Sequence, residues 1–322
     1  MARKFIFIYF TQFHPLAGDF TPIFTANVYN FHTRMAEILF RVARSARSCR
    51  LLTASRALST GRKKGFFELR ADHVLPGKMN SYLDEIERTA DSRKRASPGL
   101  LGMWKTEIGG STSVVSHLYH WESFDERDKA QMLAADEADL YGTTVSNTEM
   151  ISNMTLPLPA LRDALSDSTS MIMNEATACL EAAGLPGALA YLPPSHQEPW
   201  TLASHEPAMG RQPVAFEMRK YQLQLGYSTV PKFLELYGTG LQDKLAADDS
   251  GASELCTLLY SDCGSLNVVI EIWRHRTLEA SLASRQASRK ASKWRAAVEE
   301  IAGLAHTFET AMMRPVPSSP WR

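Results

Sequence analysis

Apolar and polar residues alternate through "VVSHLYHW" (Val114–Trp121), and 154 residues later the alternation returns in "VVIEIWRH" (Val268–His275). A period of two is the signature of a half-buried strand. Each of these strands follows another, "LLGMWKTEIGG" and "ELCTLLYSDCG", across glycines (Gly109, Gly110, Gly264) that supply the positive φ of a tight hairpin. Upstream, "FELR" (Phe67–Arg70) is echoed by "FEMR" (Phe216–Arg219). Each echo runs through a turn, "LPG" or "LG", into an amphipathic helix. Met79, Tyr82, Leu83, Ile86 and Ala90 recur at helical spacing in the first, and Val230, Phe233, Leu234, Tyr237, Leu241 and Leu245 in the second. Downstream, Ser123-x-x-Glu126 forms a capping box and Thr277 takes the matching position in the second copy. Each copy closes on a Met-bearing run, "STSMIMNEA" and "FETAMMRPV". The pattern therefore predicts an α+β protein of two tandem ferredoxin-like β-α-β-β-α-β domains, at residues 65–176 and 214–322. Residues 177–213, with six of the 16 prolines, are a linker or insertion holding a short helix at "TACLEAAGL". A stretch at 141–159 has no counterpart in the second copy and reads as a loop.

Charge separates the front of the chain from its body. Among 322 residues, 44% are hydrophobic and 22% charged, as in ordinary globular proteins. The overall charge is zero, yet residues 1–64 carry 11 Lys or Arg against Asp19 and Glu37, so the rest is acidic by nine. An acidic body is a poor general nucleic-acid binder. From Met35, Ile38, Leu39, Val42, Ala46 and Cys49 share one helical arc with Arg41, Arg44 and Arg47 opposite. An Arg- and Ser-rich, acid-poor amphipathic helix has the composition of a mitochondrial presequence, and "RALS" (Arg56–Ser59) resembles a matrix-protease site. Residues 1–64 are thus expected to be an address to the matrix, read from Met1 or from a better start at Met35. No apolar run approaches the ~20 residues that span a bilayer. Cys179, Cys256 and Cys263 show neither a disulfide nor a zinc spacing, and are expected as idle thiols.

The stretches "FFELRADHVLPGKM", "MWKTEIGG", "VVSHLYHWESFDERDKA" and the ending "MMRPVPSSPW" resemble the NIPSNAP proteins. The resemblance covers residues 65–176 and 214–322. It implies tandem dimeric α/β-barrel domains behind a mitochondrial presequence, acting through other proteins in mitochondrial quality control, mitophagy signalling or vesicle transport. It brings no catalytic residues and no cofactor. The insertion at 177–213 and the loop at 141–159 depart from the family pattern.

Alternation also sorts the faces. Phe67, Leu69, Val114, Leu118, Val268, Ile270 and Ile272 lie on aliphatic faces, expected to meet the helices. Glu68, Arg70, His117, Tyr119 and Trp121, with Glu217, Arg219, Glu271, Trp273 and His275, lie on mixed aromatic-polar faces, expected to point into the barrel. These ten are the candidate pocket, since aromatic walls with a few polar groups suit a small ligand. Because both copies keep Glu-x-Arg, packing with the charges paired is the stronger expectation. His117 has Glu271 as its counterpart, so haem ligation or proton relay there would be one-sided; a hydrogen-bonded interior histidine is expected. Dinucleotide, P-loop, nucleophile-elbow and HExxH motifs are absent from the sequence. The basic run Ala283–Arg295 reads as a solvated helix face, with anionic-lipid contact as the alternative. The reading leans to a non-enzymatic protein with protein partners, homodimerisation among them. The alternative is a cofactor-independent oxygenase or small-ligand binder using the barrel interior. A barrel closed within one chain is favoured over one shared between chains.

Overall fold

The computed structural model describes residues 65–136, 159–191 and 214–322. The presequence, the loop from 141 and the linker beyond 191 lie outside these residues. The first half runs β1 (Phe66–Val74), α1 (Met79–Arg88), α2 (Ala90–Ala96), β2 (Leu100–Ile108), β3 (Val114–Trp121), α3 (Phe124–Asp136), α4 (Pro159–Arg162) and β4 (Leu165–Glu175). A short helix α5 (Thr177–Ala182) and a 3-10 turn (Ala188–Tyr191) follow. The second half runs β5 (Ala215–Leu223), α6 (Thr229–Ala247), β6 (Ser253–Cys263), β7 (Val268–His275), α7 (Leu278–Ser288), α8 (Ser292–Leu304) and β8 (Ala305–Pro315). No helix among the described residues is long and apolar enough to cross a membrane.

The strands close into one barrel within the chain, in the order β1-β3-β2-β8-β5-β7-β6-β4, every neighbouring pair antiparallel. Each half contributes the strand order 4-1-3-2 of a ferredoxin-like sheet. The halves meet where β4 pairs with β6 and β8 with β2. Val114–Trp121 and Val268–His275 take the same place, third strand of each half. The duplication reaches the irregularities too. β2 shifts register between Leu100 and Gly102, and β6 between Leu255 and Thr257, each facing the matching part of its partner strand. The hairpin glycines sit at the same barrel end, and a side chain at Gly109 (φ +83°) would strike the Thr310 carbonyl. The caps form as read: Ser123 accepts from the Glu126 N–H, and Thr277 from that of Ala280.

Three cores hold the fold. The barrel interior is filled by Phe67, Leu69, Leu101, Trp104, Leu118, Met173, Phe216, Leu259, Val268, Ile270, Ile272 and Met313. Leu101, Trp104, Leu118, Met173, Phe216, Leu259, Val268 and Ile272 are 0% exposed, so no space for a water molecule adjoins them. The segment after β8 plugs one end: Val316 and Trp321 donate to the β2 carbonyls of Met103 and Leu101, and the buried Trp321 ring lies edge-on to Trp104 and Tyr191. The other two cores lie between the sheet and its helices. In the first half Tyr82 and Ile86 of α1 pack over Val115, Tyr119 and Trp121. In the second, Phe233, Tyr237 and Leu241 of α6 pack with Trp294 of α8 over Val269 and Trp273.

This overturns the expected orientation of the faces. The aliphatic residues point into the barrel and the ten candidate residues point outward, under the helices. Alternation separates two faces but does not say which one a closed sheet turns inward. The middle of the interior offers no counter-charge and no water, so a Glu or Arg there would be stranded. The inward-facing Arg274 and Glu175 stand at strand ends, where the Arg322 carbonyl takes up the one and the Ala188 N–H and Thr257 hydroxyl the other. The helix layer supplies counter-charges, and its margin lets in solvent.

Candidate functional site

In the first half the candidate residues form one connected network beneath α1 and α3. The carboxylate of Glu68 accepts from Arg127 of α3 (Nε 2.7 Å, Nη2 3.0 Å), from Trp121 Nε1 (3.0 Å) and from Ser170 Oγ (2.8 Å). Burial raises its pKa, but Arg127, the Ser170 hydrogen bond and the Arg70 charge together hold it below the ordinary value. Arg70 donates to Tyr119 Oη (3.1 Å) and makes an ion-pair contact with Asp72 (3.3 Å). Asp72, 0% exposed, accepts from Tyr82 Oη of α1 (2.6 Å) and from Ser168 Oγ (2.7 Å). His117 Nε2 lies 3.2 Å from the same Asp72 oxygen as Tyr82 Oη. Burial pushes Asp72 up; the Arg70 charge and the hydrogen bonds from His117 and Tyr82 more than reverse this, leaving it far below the usual carboxylate range. Burial lowers His117 to about 4 despite the Asp72 charge. The ring is therefore neutral at pH 7, its Nε2–H donated to Asp72, with Nδ1 buried and unbonded.

The second half repeats the frame with different contents. Glu217 accepts from Arg219 (2.6 Å) and from Arg285 of α7 (2.8 Å), as Glu68 does from Arg127 of the matching helix, and His275 Nε2 lies 3.1 Å away. His275 Nδ1 meets Ser253 Oγ at 2.8 Å. Burial raises Glu217 and the hydrogen bonds of His275 and Arg219 overcome it, so it too lies far below the carboxylate range. Glu271, where the first half has His117, accepts from Tyr221 Oη (2.6 Å) and Trp273 Nε1 (2.5 Å). Opposite it stands Lys244 of α6, its Nζ 3.6 Å from Glu271 and held over the rings of Trp273 (3.8 Å) and Trp294 (4.3 Å). Burial drags Lys244 down to about 7, and the Glu271 charge recovers only part of the loss.

All ten candidate residues thus gather into two clusters, one per half, on opposite sides of a filled barrel. The sequence reading missed Asp72, Tyr82, Arg127, Ser168, Ser170, Lys244 and Arg285. Two of these left a trace. Asp72 continues the Glu68-x-Arg70 alternation by one step. Lys244 interrupts the apolar stripe of α6, three residues after Leu241, where a charge has to be buried. Arg127 and Arg285 looked like ordinary helix-surface residues. Of the basic run Ala283–Arg295, Arg285 turns inward to Glu217, while Arg289, Lys290, Lys293 and Arg295 are exposed. Cys179 is half-buried, Cys256 buried and Cys263 exposed, all as free thiols.

Chemically, each cluster is a set of charges satisfied by its neighbours. That arrangement makes stability depend on pH. His117 has a folded pKa below its unfolded value of 6.5, so the unfolded chain takes up the proton first as pH falls. Its contribution is intact above pH 6.5 and is lost between 6.5 and about 4. A shift of this size corresponds to roughly 3 kcal/mol. His117→Gln, which keeps an N–H donor toward Asp72 without a titrating ring, is expected to flatten urea-unfolding stability over this window. Acid loss from Asp72 and Glu217 would remain below it. An unchanged slope would show that His117 is not the titrating group.

Comparison with known proteins adds the lineage. The NIPSNAP family model matches residues 67–158 and 216–320. The human protein NipSnap homolog 3A is 22% identical over 256 residues, spanning 79% of this chain and 85% of the relative. A NIPSNAP family protein from Agrobacterium tumefaciens is 21% identical, covering 37% of this chain and all of its own, with a TM-score of 0.31. An anthrone oxidase-like protein is 13% identical, covering 79% of this chain and 92% of its own, with a TM-score of 0.47.

Proposed function

The chain belongs to the NIPSNAP family, and on that footing we propose that it is a mitochondrial, non-enzymatic scaffold acting through contacts with other proteins, in mitochondrial quality control or vesicle transport. One observation supports the non-enzymatic part: the barrel interior is filled with side chains, with Leu101, Trp104, Leu118, Phe216 and Ile272 at 0% exposure. An oxygenase or ligand binder using that interior needs a cavity of a few hundred Å³ for its substrate. The outward clusters do not replace it, because Asp72 and His117 are 0% exposed and the Asp72 carboxylate is taken up by Tyr82, Ser168, Arg70 and His117. Buried, mutually paired charges of this kind hold a sheet and its helices in one register.

The matrix address rests on the Arg-rich amphipathic pattern from Met35 and on "RALS". The test is cell fractionation followed by N-terminal sequencing of the purified protein. A mature chain beginning near Ser59 supports the reading. Intact residues 36–58, or recovery from the secretory path, overturns the localisation. The scaffold part is tested by thermal melts against a panel of small aromatic and quinone ligands. A dose-dependent rise in Tm that is lost when the interior is altered by Leu118→Met overturns it; unchanged melting across the panel supports it.

A further inference from the structure

The two strands that join the halves are longer than the pairing needs. β8 pairs with β5 from Ala305 to Met313, but with β2 only from Met312 to Pro315. Gly109, at the end of β2, packs against the Thr310 carbonyl and ends the region that the β2 hairpin covers. On that side, Ala305–Glu309 has no ladder partner among the described residues. β4 has a matching run from Leu165 to Met171, beyond the end of β6.

The two runs differ in what surrounds them. On β4, Ser168 and Ser170 turn to Asp72 and Glu68, and no large apolar side chain is exposed. On β8, His306, Thr307, Phe308 and Glu309 are all exposed. Phe308 lies flat on Tyr221 (ring centroids 4.4 Å apart, planes 7° from parallel) and keeps 54% of its surface in solvent. Beside the start of β8, the β5–α6 turn is tied down by the Leu304 carbonyl and by Asn267, and it presents Leu225 (83% exposed) and Tyr227. Free edge strands are ordinarily blunted by a lysine or proline. Ala305–Glu309 has neither, and a large apolar surface flanks it.

We propose that Ala305–Glu309 is a self-pairing edge, at which two copies of the chain join their β8 strands antiparallel about a two-fold axis at Thr307. This rests on the scaffold reading and names a second copy as one partner. The pattern is self-complementary about the midpoint of the free run. Thr307 meets Thr307 of the partner subunit, His306 meets the partner's Phe308, and Glu309 meets the partner's Ala305. Two ring pairs form, a hydroxyl pair sits on the axis, and no like charges oppose each other. A closed two-fold contact is the commonest solution for a protein that associates with itself.

Directly opposed residues of an antiparallel pair have Cα atoms ~4.5–5.5 Å apart, within disulfide reach. Thr307→Cys, made in the full chain with the exposed Cys263 changed to Ser, is therefore expected to form a disulfide-linked dimer under mild oxidation. Asp167→Cys, at the matching place on β4 and likewise exposed, should not. Light scattering of the unaltered chain should show a dimer that dissociates on dilution, and Thr307→Lys should shift it to monomer with a Tm equal to that of the unaltered chain diluted to monomer, because the residue itself is exposed. A monomer at all concentrations, cross-linking through Asp167→Cys instead, or a dimer that survives Thr307→Lys overturns the proposal. None of these outcomes touches the packed interior, so a failure here is distinct from a failure of the scaffold reading.

Discussion

Trp273→Ala is expected to destabilise the protein by about 3–5 kcal/mol, the range for large aromatic truncations in a core. Trp273 is 2% exposed, and its ring does three things at once. It fills the space between β7 and the helices with Phe233, Tyr237 and Trp294. Its Nε1–H donates to Glu271, and its face holds the Lys244 ammonium at 3.8 Å. Removing it opens a cavity and strips a donor from a buried carboxylate, whose desolvation is then less well compensated. Trp273→Phe, which keeps an aromatic face but no N–H, should cost only ~1–2 kcal/mol. Trp121→Ala should behave like Trp273→Ala, since Trp121 is 4% exposed and donates to Glu68 in the same way. Urea denaturation with a common m-value is the measurement. Losses below ~1 kcal/mol for both alanine variants would mean that the rings line a loosely packed pocket.

Stability should rise with pH on the alkaline side, and Lys244 should be the cause. Its folded pKa of about 7 lies below the ordinary 10.5, because burial disfavours the charged form more than Glu271 restores it. The unfolded chain therefore binds the proton more tightly across this window, and raising the pH removes a penalty that the folded state carries. Between pH 7 and 9.5 the gain is about 3 kcal/mol. Above pH 10 the buried tyrosines Tyr82, Tyr221 and Tyr237, whose ionisation burial opposes, pull the other way. Lys244→Met keeps much of the stem that packs on Trp273 and Trp294 and removes the titrating group. Its stability should be nearly flat over the same range, with Glu271 still facing Tyr221, Trp273 and the Arg219 charge. An unchanged alkaline rise in Lys244→Met would assign the effect to another group.

The chain's local order is written in its residues. Period-two alternation placed Val114–Trp121 and Val268–His275 as equivalent strands, the glycines marked the hairpins, and Ser123 and Thr277 marked helix starts. These features depend on backbone geometry and on neighbours a few residues away, so a linear pattern carries them. The duplication was legible for the same reason: the same physical solution was spelled twice. What only the tertiary structure decided was which face of the sheet turns inward. Glu68, Arg70, His117 and Glu271 were correctly grouped by alternation, but their direction depends on where counter-charges stand. Those come from Arg127, Arg285 and Lys244, on helices well separated along the chain from the strands they meet, and no periodicity ties the two together. Closing eight strands within one chain leaves an interior just wide enough for its own side chains. That interior took the aliphatic face because such residues need no partners, and most of the charged side chains went to the helix layer, where Arg127, Arg285 and Lys244 could meet them.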